Sequence, residues 1–101
     1  MTIQEQAAEA ATHWQGHIRR LISNRENAVY EMALPNARAA LRLHRTGYQG
    51  EASIKSELWW CSALADAGLS VPAPLNAQSG DQLIRLSTGR LASAIDRKSV
   101  V

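Results

Sequence analysis

The 101-residue sequence contains no phenylalanine, three tryptophans, two tyrosines and one cysteine. A lone Cys61 excludes an intramolecular disulfide and a cysteine-built zinc site, and it fits a reducing compartment. No apolar run reaches the roughly 18 residues that a membrane-spanning helix needs, and the acidic, alanine-rich start lacks the basic region of a secretory signal. A cytoplasmic protein without a membrane partner is expected. Blocks of like charge are also missing. The net charge of +2 comes from Arg19, Arg20, Arg25, Arg38, Arg42, Arg45, Lys55, Arg85, Arg90, Arg97 and Lys98, with acidic residues set between many of them. A pI near 9.1 is therefore the one feature that favours nucleic acid, and without a clustered basic face nucleic acid is not the expected partner. There is no internal repeat and no low-complexity segment.

What is present is ordinary globular material, 46% hydrophobic and 20% charged, sufficient for one domain near the lower size limit for a self-sufficient core. Thr2-Ile3-Gln4-Glu5 has the capping-box pattern of a helix start, and the Ala- and Glu-rich residues that follow predict a first helix ending near Gly16. Its apolar face is mostly alanine with Ile3 and Trp14, which suits a decoration packed on something larger. His17 to Ser23 and Asn27 to Leu34 carry β-branched and aromatic residues around the polar group Ser23-Asn24-Arg25-Glu26-Asn27, predicting two strands of a hairpin. Pro35-Asn36 supplies the next turn.

The third strand, Arg38 to Arg45, alternates with period two: Leu41 and Leu43 take one face, and Ala40, Arg42 and His44 take the other. Glu51 to Ala67 is the strongest helical stretch, with Gly68 at the C′ position. At roughly 100° per residue it places Ile54, Leu58, Cys61 and Ala65 on one stripe. Glu57 lies to the same side, so a half-buried carboxylate in need of a partner is expected. Leu69 to Leu75 is extended, because residues before proline avoid the α region. Gln82 to Leu86 and Arg90 to Ile95, joined through Ser87-Thr88-Gly89, make a final hairpin.

Connections this short allow only an antiparallel sheet. The expected fold is α+β: about five strands, one main helix between strands three and four, and an N-terminal helix. The expected organisation is a helix over residues 1–16, a lobe over 17–96, and a disordered or truncated tail over 97–101.

Four stretches carry a resemblance in this order. Glu26-Asn27-Ala28-Val29-Tyr30 is similar to an "E-N-x-V/T-Y" second-strand motif, and Ala40 to Tyr48 to an "x-L-R-x-H-R-x-G-Y" third strand and turn. Ser53 to Trp59 is similar to "I-x-S-E-L-x-W", and Gly68 to Pro74 to "G-L-x-V-P-x-P". Together they resemble the amino-terminal, kinase-like lobe of the aminoglycoside phosphotransferase superfamily, which includes choline kinases and type II homoserine kinases. The resemblance implies ATP with Mg2+ as cofactor. It places Arg42 where kinases carry the third-strand lysine that contacts phosphates, and Glu57 as its helix partner. Arginine there departs from the pattern, although its planar fork of donors suits phosphate and carboxylate. Ala40 would sit against adenine, and Ser23 and Asn27 would border a phosphate-covering loop that has no glycine.

No "H-x-D-x-x-x-x-N", D-F-G or D-x-D sequence occurs, so no residue of this chain is expected to be catalytic or to hold metal. A fragment inactive by itself is one expectation, its surface completed by a missing C-terminal lobe. The alternative is a non-catalytic binding or dimerisation module. Without the resemblance, Arg42 and Glu57 would be a structural ion pair. His17 and His44 are expected on strand surfaces, and Cys61 as a small core residue. Trp59 and Trp60 diverge by about 100° on the helix, so one of them is expected to cover an interface with the first helix, the missing lobe or a second copy.

Overall fold

The computed structural model describes residues 2–24, 27–45, 50–69 and 71–96. The expected tail, residues 46–49 of the turn after the third strand, Arg25, Glu26 at the start of the second-strand motif, and Ser70 lie outside the described residues.

Among the described residues seven elements follow in order: α1 (Ile3–Thr12), β1 (His17–Asn24), β2 (Ala28–Ala33), β3 (Arg38–Leu43), α2 (Glu51–Asp66), β4 (Leu83–Arg85) and β5 (Leu91–Asp96). The five strands form one antiparallel sheet in the order β1-β2-β3-β5-β4. This is the α+β architecture expected from the sequence, with α2 between the third and fourth strands.

Local chemistry explains the boundaries. The Thr2 hydroxyl accepts from the Glu5 N–H at 3.1 Å, and the Glu5 carboxylate accepts from the Thr2 N–H at 2.9 Å, a complete capping box. At the far end of α1, Gln15 takes the left-handed φ of 56°, so that the Gly16 N–H closes on the Ala11 carbonyl at 3.0 Å. α2 ends with the expected glycine. Gly68 has φ 89°, Leu69 donates to the Leu64 carbonyl and Gly68 to that of Ala65, which is the two-bond Schellman arrangement. The extended link continues the β4 edge: Pro74 pairs with Ile95, while Leu75 donates to Ala94 and Asp96 donates to Ala73. Proline fits there because its missing N–H faces away from the ladder.

The sheet has two different faces. Ala28, Tyr30, Met32, Ala39, Leu41, Leu43, Ala92, Ala94 and Ile84 project to one side and meet Ala7, Ala10, Ala11 and Trp14 of α1 in a continuous apolar core. Small alanines bring the α1 backbone close to the sheet, and Gly16 lies against Met32 for the same reason. The Trp14 indole N–H donates to the Leu75 carbonyl at 3.0 Å, and the Gln78 N–H to the His13 carbonyl at 2.8 Å. Glu9 accepts from both the backbone and the hydroxyl of Ser87, which holds its carboxyl below the usual range. The first helix is therefore one wall of the main core, a larger role than the decoration that its alanines suggested.

The opposite face carries α2, which buries only Ile54 and Leu58. Gln82 donates to Ser62 at 2.8 Å, and Arg85 bonds Glu51, which also pairs with Lys55. Cys61 is half-buried, not a core residue. Both tryptophans of α2 are largely open to solvent: Trp59 is 65% and Trp60 58% exposed, and their rings stack with centroids 6.3 Å apart.

Candidate functional site

Strand register assembles the site on the α2 side of the sheet. Ser23 is opposite Val29, Val29 opposite Arg42, Arg42 opposite Ser93, and Ser93 opposite Leu83. Directly paired residues share a face. These five side chains thus form one row across all five strands, with Arg42 on the central strand. The neighbouring row contains Arg20, Glu31, Ala40 and Ile95.

Arg42 approaches Glu57 across the gap between β3 and α2, with Nη1 3.8 Å from Oε1. The arginine side chain is 23% exposed and the glutamate 45%. Glu57 is therefore a solvated carboxylate at the edge of the helix, where the periodicity of α2 had suggested half-burial. An ion pair this open contributes little to stability. Its consequence is directional: it aims a cation, still accessible to solvent, along the open side of the sheet.

Ala40 is buried beside Glu31, a carboxylate pinned by Arg20 at 3.3 Å and Arg38 at 3.7 Å. The Ala40 methyl lies on the same face as Arg42. Ser23 is half-buried near the end of β1. Asn27 is already engaged: its side-chain oxygen accepts from the Arg45 N–H at 3.2 Å and ties the start of β2 to the end of β3.

The sequence reading missed His44. It was expected on the strand surface, but it is 4% exposed, and its Nε2 lies 2.8 Å from the Ser93 hydroxyl. Ser93 itself is fully buried opposite Arg42. Arg90 donates from Nε to the His44 carbonyl at 3.0 Å. Burial, reinforced by the Arg42 and Arg90 charges and opposed by Glu57, pushes the His44 pKa down to about 4, so the imidazole is neutral near pH 7. Period-two alternation had already put His44 on the face of Arg42. Its burial depends on a serine 49 residues away, and no local signal reports that.

A separate groove of about 450 Å³ lies between α2 and β4, lined by Glu51, Lys55, Leu58, Leu83, Arg85 and Leu91 among others. It does not include Arg42 or Glu57, so the ion pair opens onto a different part of the surface. Among the described residues, no three acidic, histidine or cysteine side chains gather as metal ligands, and no helix is long and apolar enough to cross a membrane.

No protein-family model matches the chain, and no curated protein matches it. Among solved structures it is similar to one described as the microcompartment-associated aminopropanol kinase, with a TM-score of 0.77 and 26% sequence identity. The match covers 94% of this chain and 31% of that one, so the chain spans about a third of the kinase's length. The likeness supports a kinase-like amino-terminal lobe.

Proposed function

We propose that the chain is the nucleotide-side lobe of an ATP-dependent small-molecule phosphotransferase related to the aminoglycoside phosphotransferase superfamily. The observation that carries this reading is the Arg42–Glu57 pair, a third-strand cation held by a carboxylate of the following helix, in a fold similar to that of a kinase. Arg42 would contact the ATP phosphates through charge-assisted hydrogen bonds, and Glu57 would keep its fork directed at them. Ala40, an apolar side chain on the Arg42 face, would lie toward the base, with Ser23 and Asn27 at the rim.

These residues suit the phosphates and the base. They do not suit Mg2+, because Glu57 is the one carboxylate beside Arg42 in the described site and a metal needs several oxygen ligands. The sequence also has no catalytic-loop aspartate motif, so the proposal includes no phosphoryl transfer by this chain alone. Proton acceptor and metal ligands would come from a second lobe. The exposed Trp59–Trp60 stack favours a second reading, a lobe that docks on another protein surface.

Titration of the purified chain with MgATP tests the proposal. Arg42→Ala is expected to weaken binding about tenfold or more, the loss of a hydrogen-bonding cation, and Arg42→Lys to recover part of it. Binding that ignores Arg42→Ala, or no binding by the unaltered chain, would refute it.

A further inference from the structure

We infer that His44 and Ser93 are positioning residues for Arg42, setting the direction in which its guanidinium is presented. The inference rests on the reading of Arg42 as a phosphate contact. Three observations carry it. Arg42 is on β3 and His44 follows the strand's last residue, its N–H donating to the Leu91 carbonyl at 2.9 Å, while Ser93 is directly opposite Arg42 on β5. The imidazole reaches across to Ser93, with Nε2 and Oγ 2.8 Å apart. Both members of this hydrogen bond are removed from solvent, whereas Arg42 remains partly open.

Arg42 is thereby bordered on the β5 side by a buried, hydrogen-bonded pair. The side still open to it leads toward Glu57 on α2. A neutral imidazole suits this place chemically. The charged groups around it are Arg42 of β3, Glu57 of α2 and Arg90 ahead of β5. An imidazolium would repel both arginines and compete for Glu57, while a neutral ring bonds the serine and leaves the carboxylate to Arg42. An aliphatic side chain would fill the volume but leave the Ser93 hydroxyl without this partner, free to bond Arg42 or the backbone instead.

The test has two arms. In the first, without nucleotide, the Arg42 Nε–H resonance of the 15N-labelled chain is identified by its loss in Arg42→Lys. His44→Leu is expected to move this resonance toward the position of a free arginine, and His44→Gln, whose amide reaches the Nε2 position, to restore it. Ser93→Ala provides the same readout if His44→Leu does not fold. A resonance unchanged in the folded variants overturns the inference.

In the second arm, MgATP affinity is expected to fall about tenfold in His44→Leu and to return in His44→Gln, the size expected for one misdirected charged contact. If Arg42→Ala weakens MgATP binding while His44→Leu and Ser93→Ala leave it unchanged, positioning fails and the nucleotide reading stands. If the resonance responds to His44 but MgATP ignores Arg42, the nucleotide reading fails and the positioning stands.

Discussion

Acid should destabilise this fold through one residue, at a pH where most carboxylates are still ionised. His44 has its pKa pushed from the ordinary 6.5 to about 4 in the folded chain, chiefly by burial and then by Arg42. Because the folded pKa is the lower one, the unfolded chain takes up the proton first, so stability is complete above about pH 6.5 and is lost as pH falls toward 4. Each tenfold loss of proton affinity on folding is worth about 1.4 kcal/mol, so roughly 2 to 3 kcal/mol disappears between pH 7 and pH 4.5. That is a large part of the stability of a domain of this size. With a urea slope near 1 kcal/mol/M, the unfolding midpoint should fall by about 2 M.

The assay is urea unfolding at pH 7, 6, 5 and 4.5, for the unaltered chain and for His44→Gln, which keeps a hydrogen-bonding group but cannot titrate there. Glu5, Glu9 and Glu51 have pKa values lowered by Thr2, Ser87 and Lys55 respectively. Their contributions are present above about 4.5 and lost below it, and they are common to both proteins. The difference between the two stability curves therefore isolates His44. It should narrow as pH falls, with the unaltered chain losing ground throughout the window. Parallel curves would refute the reasoning, and so would a proton titration of the His44 ring centred near 6.5.

Three further substitutions probe α1 and its junction with the sheet. Gly16→Ala should destabilise by about 1 to 3 kcal/mol in thermal or urea unfolding, since an added Cβ would meet Met32 Cγ and Sδ at 2.7 Å inside a filled core. Gln15→Gly should stabilise by up to about 1 kcal/mol, because the native φ of 56° strains a residue with a Cβ. Thr2→Ala, which removes one half of the capping box, should cost about 1 kcal/mol and increase amide exchange in the first turn of α1.

Strand and helix positions were legible because each depends on neighbours in sequence. Alternation at Leu41 and Leu43, the Thr2–Glu5 pattern and Gly68 each report a local rule that the fold obeys. What the residues could not show was which helix would take the apolar face. The alanines of α1 read as a weak surface, yet Ala7, Ala10 and Ala11 are fully packed, because small side chains permit close approach. Once α1 occupies that face, α2 is left on the polar one. Its stripe is then buried only at Ile54 and Leu58, and Glu57 reaches solvent. Arg42 was correctly assigned to the non-core face, while the burial of His44 required a partner in β5. Whether Ser23 and Asn27 reach a ligand is not a property of local sequence. Asn27 shows why: its oxygen accepts from the Arg45 N–H, just past the end of β3.

The two faces of the sheet lead to different expectations for mutation. On the α1 side, apolar contacts converge from all five strands, α1 and Ala77, so truncations there should unfold the domain before they alter any binding. On the α2 side, the helix is held by two buried aliphatic residues, the Gln82–Ser62 hydrogen bond and partly open ion pairs. The exposed ion pairs contribute little to holding this helix, so Ile54 and Leu58 carry most of its attachment. Arg42 stands on β3 and Glu57 on α2, so their 3.8 Å separation depends on how α2 is seated on the sheet. A ligand that bonds Arg42 and favours the seated helix would tighten α2 without rearranging the α1 core. Protection of α2 amides from hydrogen exchange, with α1 amides unchanged, would be the signature of MgATP acting at this pair. Equal protection on both faces would instead indicate a global effect unrelated to Arg42.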